Sequence, residues 1–201
     1  QGHRQLIRKG GQLWPQWQGS FWQDSACRLP YHCALVTPQP ESNNPMAVKV
    51  NIDLGYEFAV KADFRTVFDT LSDVPSSASH FPKVDQLVDL GDGVYRWELA
   101  KIGLAQIYLQ TIYASRYVSD RTSGSVVWTP VAGIGNALVS GSWKVIGKKK
   151  STHLELHVQG ALVLPLPALM KVVIAPVVEG EFEAMTEQYI FNLIKHFGGE
   201  V

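Results

Sequence analysis

Apolar and polar residues alternate one for one from Val48 to Val60. Val48, Val50, Ile52, Leu54, Tyr56, Phe58 and Val60 fall in one phase, and Lys49, Asn51, Asp53, Gly55, Glu57 and Ala59 in the other. A period of two over that length predicts a long strand with one dry face. At Asp63 the period changes. Asp63 can cap a helix that carries Phe64, Val67, Phe68 and Leu71 at helical spacing, and Pro75 and Pro82 bracket a second short helix over Ser76–Phe81. Strands then follow one another. Lys83–Leu90 ends at Gly91-Asp92-Gly93, a hairpin signal. Val94–Lys101 places Tyr95, Trp97 and Leu99 on one face. Ala105–Val118 places Leu109, Thr111, Tyr113 and Tyr117 together, Ser125–Thr129 carries Trp128, and Ala137–Ile146 shows Val139, Gly141, Trp143 and Val145 in one phase. Beyond the turn Gly147–Ser151, the dry face of a last strand is Leu154, Leu156, Val158, Leu162 and Leu164. Strands so regularly spaced by turns predict an antiparallel sheet built largely from hairpins.

From Pro167 to Phe197 the pattern is that of one long helix. Val178, Phe182, Met185, Tyr189 and Leu193 form a stripe at spacings of three and four, with Glu181, Gln188 and Lys195 away from it. The first half, Ala168–Val178, is apolar nearly all round, as expected of a segment covered on several sides. Pro176 should kink it, since it lacks a backbone donor, and Gly198-Gly199 ends it. The predicted fold is α+β: a curved antiparallel sheet wrapped around a long C-terminal helix, with two short helices after the first strand, enclosing a cavity.

Composition sharpens this picture at the N-terminus. Residues 1–45 are rich in Gln, Pro and Trp (Trp14, Trp17, Trp22) in no regular period, and the alternation begins just after Met46. Residues 1–45 are therefore read as an extension outside the fold and residues 46–201 as the domain. Upstream sequence ahead of a start at Met46 is the preferred reading, with an added remnant or an aromatic arm docked on the domain as the others. No basic start followed by an apolar run and a small-residue cleavage site marks a signal peptide. Both cysteines, Cys27 and Cys33, lie in this stretch, so the remainder can build neither a disulfide framework nor a thiolate metal site. A cytoplasmic location fits that usage. Lys plus Arg and Asp plus Glu number 18 each, a formal net charge of zero, which gives no electrostatic footprint for nucleic acid. The longest apolar stretch, Ala161–Val178, is broken by Pro165, Pro167, Lys171 and Pro176, and no spanning helix is expected.

Leu71-Ser72-Asp73-Val74 with Phe81-Pro82, the strand pair flanking Gly91-Asp92-Gly93, and the helix Glu179–Gly199 resemble the START-like, helix-grip superfamily, in particular its polyketide cyclase and ubiquinone-binding-protein branch. The resemblance covers about residues 47–199 and rests more on the order of elements than on any one residue. It implies a cavity between sheet and helix that takes lipids, quinones, sterols or polyketides, with or without chemistry.

The residues themselves narrow the chemistry. Asp53, Glu57, Glu98, His153, Glu155 and His157 all fall in the wet phase of their strands, whereas acid–base catalysis in a cavity needs a titratable group pointing inward. His153 and His157 would share a helical face, but on a strand they stand about 13 Å apart, so no metal is expected. Gly133-Ile134-Gly135 lacks the third glycine and the following helix of a dinucleotide loop and reads as a flexible connection. Trp97, Trp128 and Trp143 sit in inward phases, as do Leu109 and Leu156, and Tyr56, Thr111 and Tyr113 offer the hydroxyls with which apolar pockets orient a ligand. Met170, Val173 and Ile174, ahead of Pro176, are expected to form one wall. These eleven residues are the candidate ligand-binding set. No catalytic residue and no cofactor are assigned. Lys148, Lys149 and Lys150 at a turn could touch acidic headgroups of a membrane. The sequence thus points to a carrier of an apolar small molecule, with an aromatase/cyclase-like enzyme or an accessory assembly protein as alternatives.

Overall fold

The alternating segment Val48–Val60 is a strand whose residues run buried, exposed, buried along nearly its whole length. It opens the domain in the computed structural model, which describes residues 7–8, 47–104 and 107–201. The elements, in chain order, are β1 (Ile7–Arg8), β2 (Val48–Val60), α1 (Phe64–Ser72), α2 (Val74–Ala78), β3 (Val84–Gly91), β4 (Val94–Leu99), β5 (Ile102–Leu104), β6 (Ile107–Leu109), β7 (Ile112–Asp120), β8 (Ser125–Pro130), β9 (Ala137–Gly147), β10 (Thr152–Leu164) and α3 (Lys171–His196), the last preceded by a 3-10 turn at Ala168–Met170. An eight-stranded antiparallel sheet has the order β1-β2-β10-β9-β8-β7-β4-β3, and β5 and β6 pair with each other apart from it. Of residues 1–45 only Ile7–Arg8 are described, lying opposite Glu57 and Tyr56 on the outer edge of β2. Trp14, Trp17, Trp22, Cys27 and Cys33 lie outside the described residues.

The dry face of the sheet closes on α3. Val178, Phe182, Met185, Tyr189 and Leu193 are all buried, as their spacing predicts, and with Leu154, Leu162 and Val60 they join one continuous core. At its C-terminal end α3 is tied back to the sheet. Lys61 and Ala62 donate backbone bonds to Gly199 and Phe197, 3.1 Å each, and Val60 forms an isolated bridge to Glu200. Asp63 caps α1 through Thr66 N–H at 3.0 Å. No helix among the described residues is long and apolar enough to cross a membrane.

Three expectations are corrected. The second short helix runs over Val74–Ala78 and contains Pro75, because proline is tolerated in a first helical turn, where its missing donor would be unsatisfied anyway. The strand expected over Ala105–Val118 is broken: β5 and β6 pair with each other apart from the sheet, and β7 begins at Ile112. Asn136 accounts for the break, its amide accepting from Ile112 N–H and donating to Gln110 C=O, each at 2.9 Å. That contact also ties the 131–136 connection to the start of β7. Finally, the start of α3 is uncovered. Leu169, Val172 and Val173 are 91%, 82% and 57% exposed, since this turn lies off the end of the sheet, just after the last pair of β10 with β2 at Leu164 and Val48.

Candidate functional site

A cavity lies between the inner face of the sheet and the helices, and its wall is built mainly of aromatic rings. Trp97 (β4), Tyr113 and Tyr117 (β7), Trp128 (β8) and Trp143 (β9) come from strands, Phe81 from the segment after α2, and Phe182 and Tyr189 from the middle of α3. Leu71, Val74 and Ser77 close the end under α1 and α2, and Leu156 and Val158 form the floor on β10. The strand positions follow from the period of two: each wall residue belongs to the phase that turns away from water.

The rings brace one another. Trp97 and Tyr113 stack nearly parallel at 6.0 Å, as do Tyr117 and Trp128 at 5.8 Å, while Phe81 packs against both Trp97 and Tyr189. Trp128 lies across Gly141, its strand partner; a Cβ there would stand 2.3 Å from the indole and 2.4 Å from the His157 carbonyl. The rings leave only about 80 Å³ free, roughly half the ~150 Å³ of an apolar cavity that admits benzene. Even a single-ring ligand therefore enters only as side chains turn aside.

Among the described residues, no carboxylate, histidine, lysine or arginine lines this space. Its polar atoms are hydroxyls and indole N–H groups. Ser77 Oγ and Tyr189 Oη share a hydrogen bond of 2.5 Å, and Thr186 Oγ1 donates to Phe182 C=O at 2.8 Å. Burial pushes the Tyr189 phenol up to about 12, against the opposing hydrogen bonds from Ser77 and Trp143. Burial likewise raises Tyr113, with the proximity of Tyr189 adding to it. Tyr117 is raised well above the ordinary value by burial and then by Tyr113 and Tyr189, with the Trp97 indole N–H acting in the opposite sense. All three phenols stay protonated at neutral pH and can donate hydrogen bonds, but none is a base. The Trp97 Nε1–H itself is buried and makes no hydrogen bond of acceptable geometry among the described residues.

Of the eleven residues expected at the site, Trp97, Tyr113, Trp128, Trp143 and Leu156 come together on the wall. Tyr56, Leu109 and Thr111 are buried elsewhere in the core: Tyr56 lies on β2 away from the hollow, Leu109 belongs to the β5–β6 pair outside the sheet, and Thr111 precedes β7. Met170, Val173 and Ile174 do not reach it: Val173 faces solvent, Ile174 is fully buried in the core, and Met170 packs at its margin. The helical wall is about two to four turns further on, at Phe182, Thr186 and Tyr189. Their stripe was visible in the sequence as buried; which part of it overlies the hollow was not.

Other features lie outside the cavity. Asp53, Glu57, Glu98, His153, Glu155 and His157 are on the outer face or partly exposed. His157 Nε2 meets Asp53 at 2.9 Å, and Glu57, His153 and Glu155 bring one ligand atom each within 4.8 Å of one another. Lys148, Lys149 and Lys150 are exposed at the β9–β10 turn, at the opposite end of β10 from the uncovered start of α3.

No protein-family model matches the chain, and no curated protein does. Solved structures do. A START superfamily protein from Mycobacterium smegmatis overlays with a TM-score of 0.52 at 14% identity, covering 73% of this chain and 97% of that one. A conserved protein from Geobacillus kaustophilus overlays with a TM-score of 0.51 at 14% identity, covering 75% and 95%. The Zhui aromatase/cyclase from Streptomyces sp. R1128 overlays more loosely, with a TM-score of 0.45 at 16% identity, covering 74% and 90%. The chain has the START-like, helix-grip fold.

Proposed function

We propose that the domain holds an apolar small molecule in the cavity beneath α3, as a carrier or sequestering protein without chemistry on its ligand. Quinone, fatty acyl and polyketide-like molecules are the candidate ligands, in that order. The observation that carries this reading is a wall of eight aromatic side chains with no charged group beside them among the described residues. Apolar surface with a few placed hydroxyls is the usual make-up of a small-molecule pocket. Ring closure of a polyketide would need a group that accepts a proton near neutral pH, and the phenols, held protonated by burial, do not supply one. Phe81 is the one residue lining both the cavity and an outer groove between α2 and β3, which also touches Pro75, Val84, Leu87 and Tyr95. Rotation of its ring would join the two spaces and give a ligand its way in.

An accessory role through a partner is the second reading. The uncovered Leu169, Val172 and Val173 favour it, since clustered apolar side chains in water mark contact surfaces. Native mass spectrometry of the full chain, followed by solvent extraction, separates the two. A discrete apolar molecule at near one per chain is the expected result. Protein that is empty, and stays empty when offered quinones and fatty acids, would overturn the carrier reading in favour of the second.

A further inference from the structure

We propose that the end of the domain from which α3 starts is a docking face for a membrane surface carrying anionic lipid headgroups. The inference goes beyond the cavity-binding reading and does not depend on it. Strands β2, β10, β9, β7 and β4 each have one end here, and hydrogen bonds stitch those ends together. Leu164 pairs with Val48, Val163 N–H donates to Asn136 C=O, Ile112 N–H donates to the Asn136 side chain, and Leu99 N–H donates to Thr111 C=O. The rim so formed consists of segments 47–50, 99–112, 131–138 and 161–178.

Its charge is of one sign. The four segments carry Lys49, Lys101 and Lys171, all exposed, and no acidic residue. Toward β3 the rim ends at Lys83, whose ammonium is paired with Glu181. The opposite end mixes signs, with Asp92, Asp120 and Arg121 beside the turns there and Lys148, Lys149 and Lys150 at the β9–β10 turn. The rim is also where large apolar side chains meet water. Leu169, Val172 and Val173 are exposed where the chain enters α3, while the next residue, Ile174, is fully buried and anchors that turn to the core. Tyr108, 73% exposed, stands on the β5–β6 pair that leaves the same end between Leu99 and Thr111, and Leu138 and Val163 are exposed on β9 and β10.

This combination fits a bilayer better than a protein. Lysine is depleted from protein–protein interfaces, whereas exposed apolar side chains bordered by lysines suit the boundary between headgroups and acyl chains. Lysine stems lie along apolar surface while their heads stay in the polar layer, and a tyrosine ring settles at the same depth. Each lysine near an anionic surface is worth about fivefold in binding. Salt screens that share and leaves the apolar share in place.

The test is sedimentation of the full chain with vesicles of phosphatidylcholine mixed with phosphatidylglycerol, and with vesicles of phosphatidylcholine alone. The expected result is binding to the mixed vesicles that weakens as salt is raised and is far weaker on the neutral ones. Leu169→Ser with Val172→Ser should reduce it about tenfold or more. Lys49→Gln, Lys101→Gln and Lys171→Gln together should reduce it about a hundredfold, and Lys148→Gln, Lys149→Gln and Lys150→Gln together should leave it unchanged. Wild-type chain that stays in the supernatant, or that binds both vesicle types equally, would overturn the proposal. So would a loss confined to the variant at the β9–β10 turn, which would move the contact to the far end. Self-association without vesicle binding, abolished by Leu169→Ser with Val172→Ser in analytical ultracentrifugation, would give the face to a second copy and overturn it too. The lipid and salt comparisons need no variant, so a misfolded one does not blunt the test. Vesicle binding by a chain that native mass spectrometry finds empty would uphold the docking face while the carrier reading falls.

Discussion

Gly141 shows how much the cavity depends on a residue with no side chain. It stands in the inward phase of β9 opposite Trp128, and the indole crosses the space that a Cβ would take, 2.3 Å away. Gly141→Ala must push Trp128 inward or lift β9 from the His157 carbonyl. Overpacking of this kind costs about 1–3 kcal/mol. The expected outcome is a lower melting temperature together with weaker ligand retention, read by thermal denaturation and by native mass spectrometry. Retention unchanged in a folded variant would mean that Trp128 does not shape the bound state. The alternating pattern disclosed that Gly141 faces inward; that it makes room for a neighbouring strand's tryptophan follows only from the pairing register.

The elements were legible in proportion to how local their causes are. β2 and β10 are long, two-period strands, and their dry faces are those the sequence displays. The break before β7 was hidden because its cause, the Asn136 side chain, lies about 25 residues downstream of the backbone groups it binds. Composition also misleads at the start of α3. An apolar segment looks the same whether it is covered or bare, and Leu169 and Val172 prove bare. The wall residues Phe182, Thr186 and Tyr189 were recognisable as buried, but the hollow's position along α3 is set by the curvature of the whole sheet. A prediction at this scale concerns the segment joining α2 to β3. Phe81→Ala should connect the outer groove with the cavity and raise the association rate for a small quinone several-fold, measured by stopped flow. An unchanged rate would place the way in elsewhere.

The whole molecule couples its C-terminal helix to the α2–β3 side through a pair of histidines. His80 and His196 have ring centroids 4.5 Å apart, and Asn192 donates to the His80 carbonyl at 2.8 Å. Burial, and then the proximity of His196, hold His80 below the ordinary imidazole value. A lowered folded-state pKa means that the unfolded chain takes up this proton first. The contribution is therefore intact above about pH 6.5 and is lost as pH falls from there toward the folded value. Denaturation midpoints should decline over that window in the wild-type chain and decline less in His80→Gln; identical slopes would exclude the pair. The aromatic wall has a consequence of another kind. Trp97, Trp128 and Trp143 are all the tryptophans beyond residue 45, and all three border the hollow. Light emitted by the domain thus originates at its binding surface, and an occupant that absorbs near 340 nm would announce its arrival by dimming the protein's own glow.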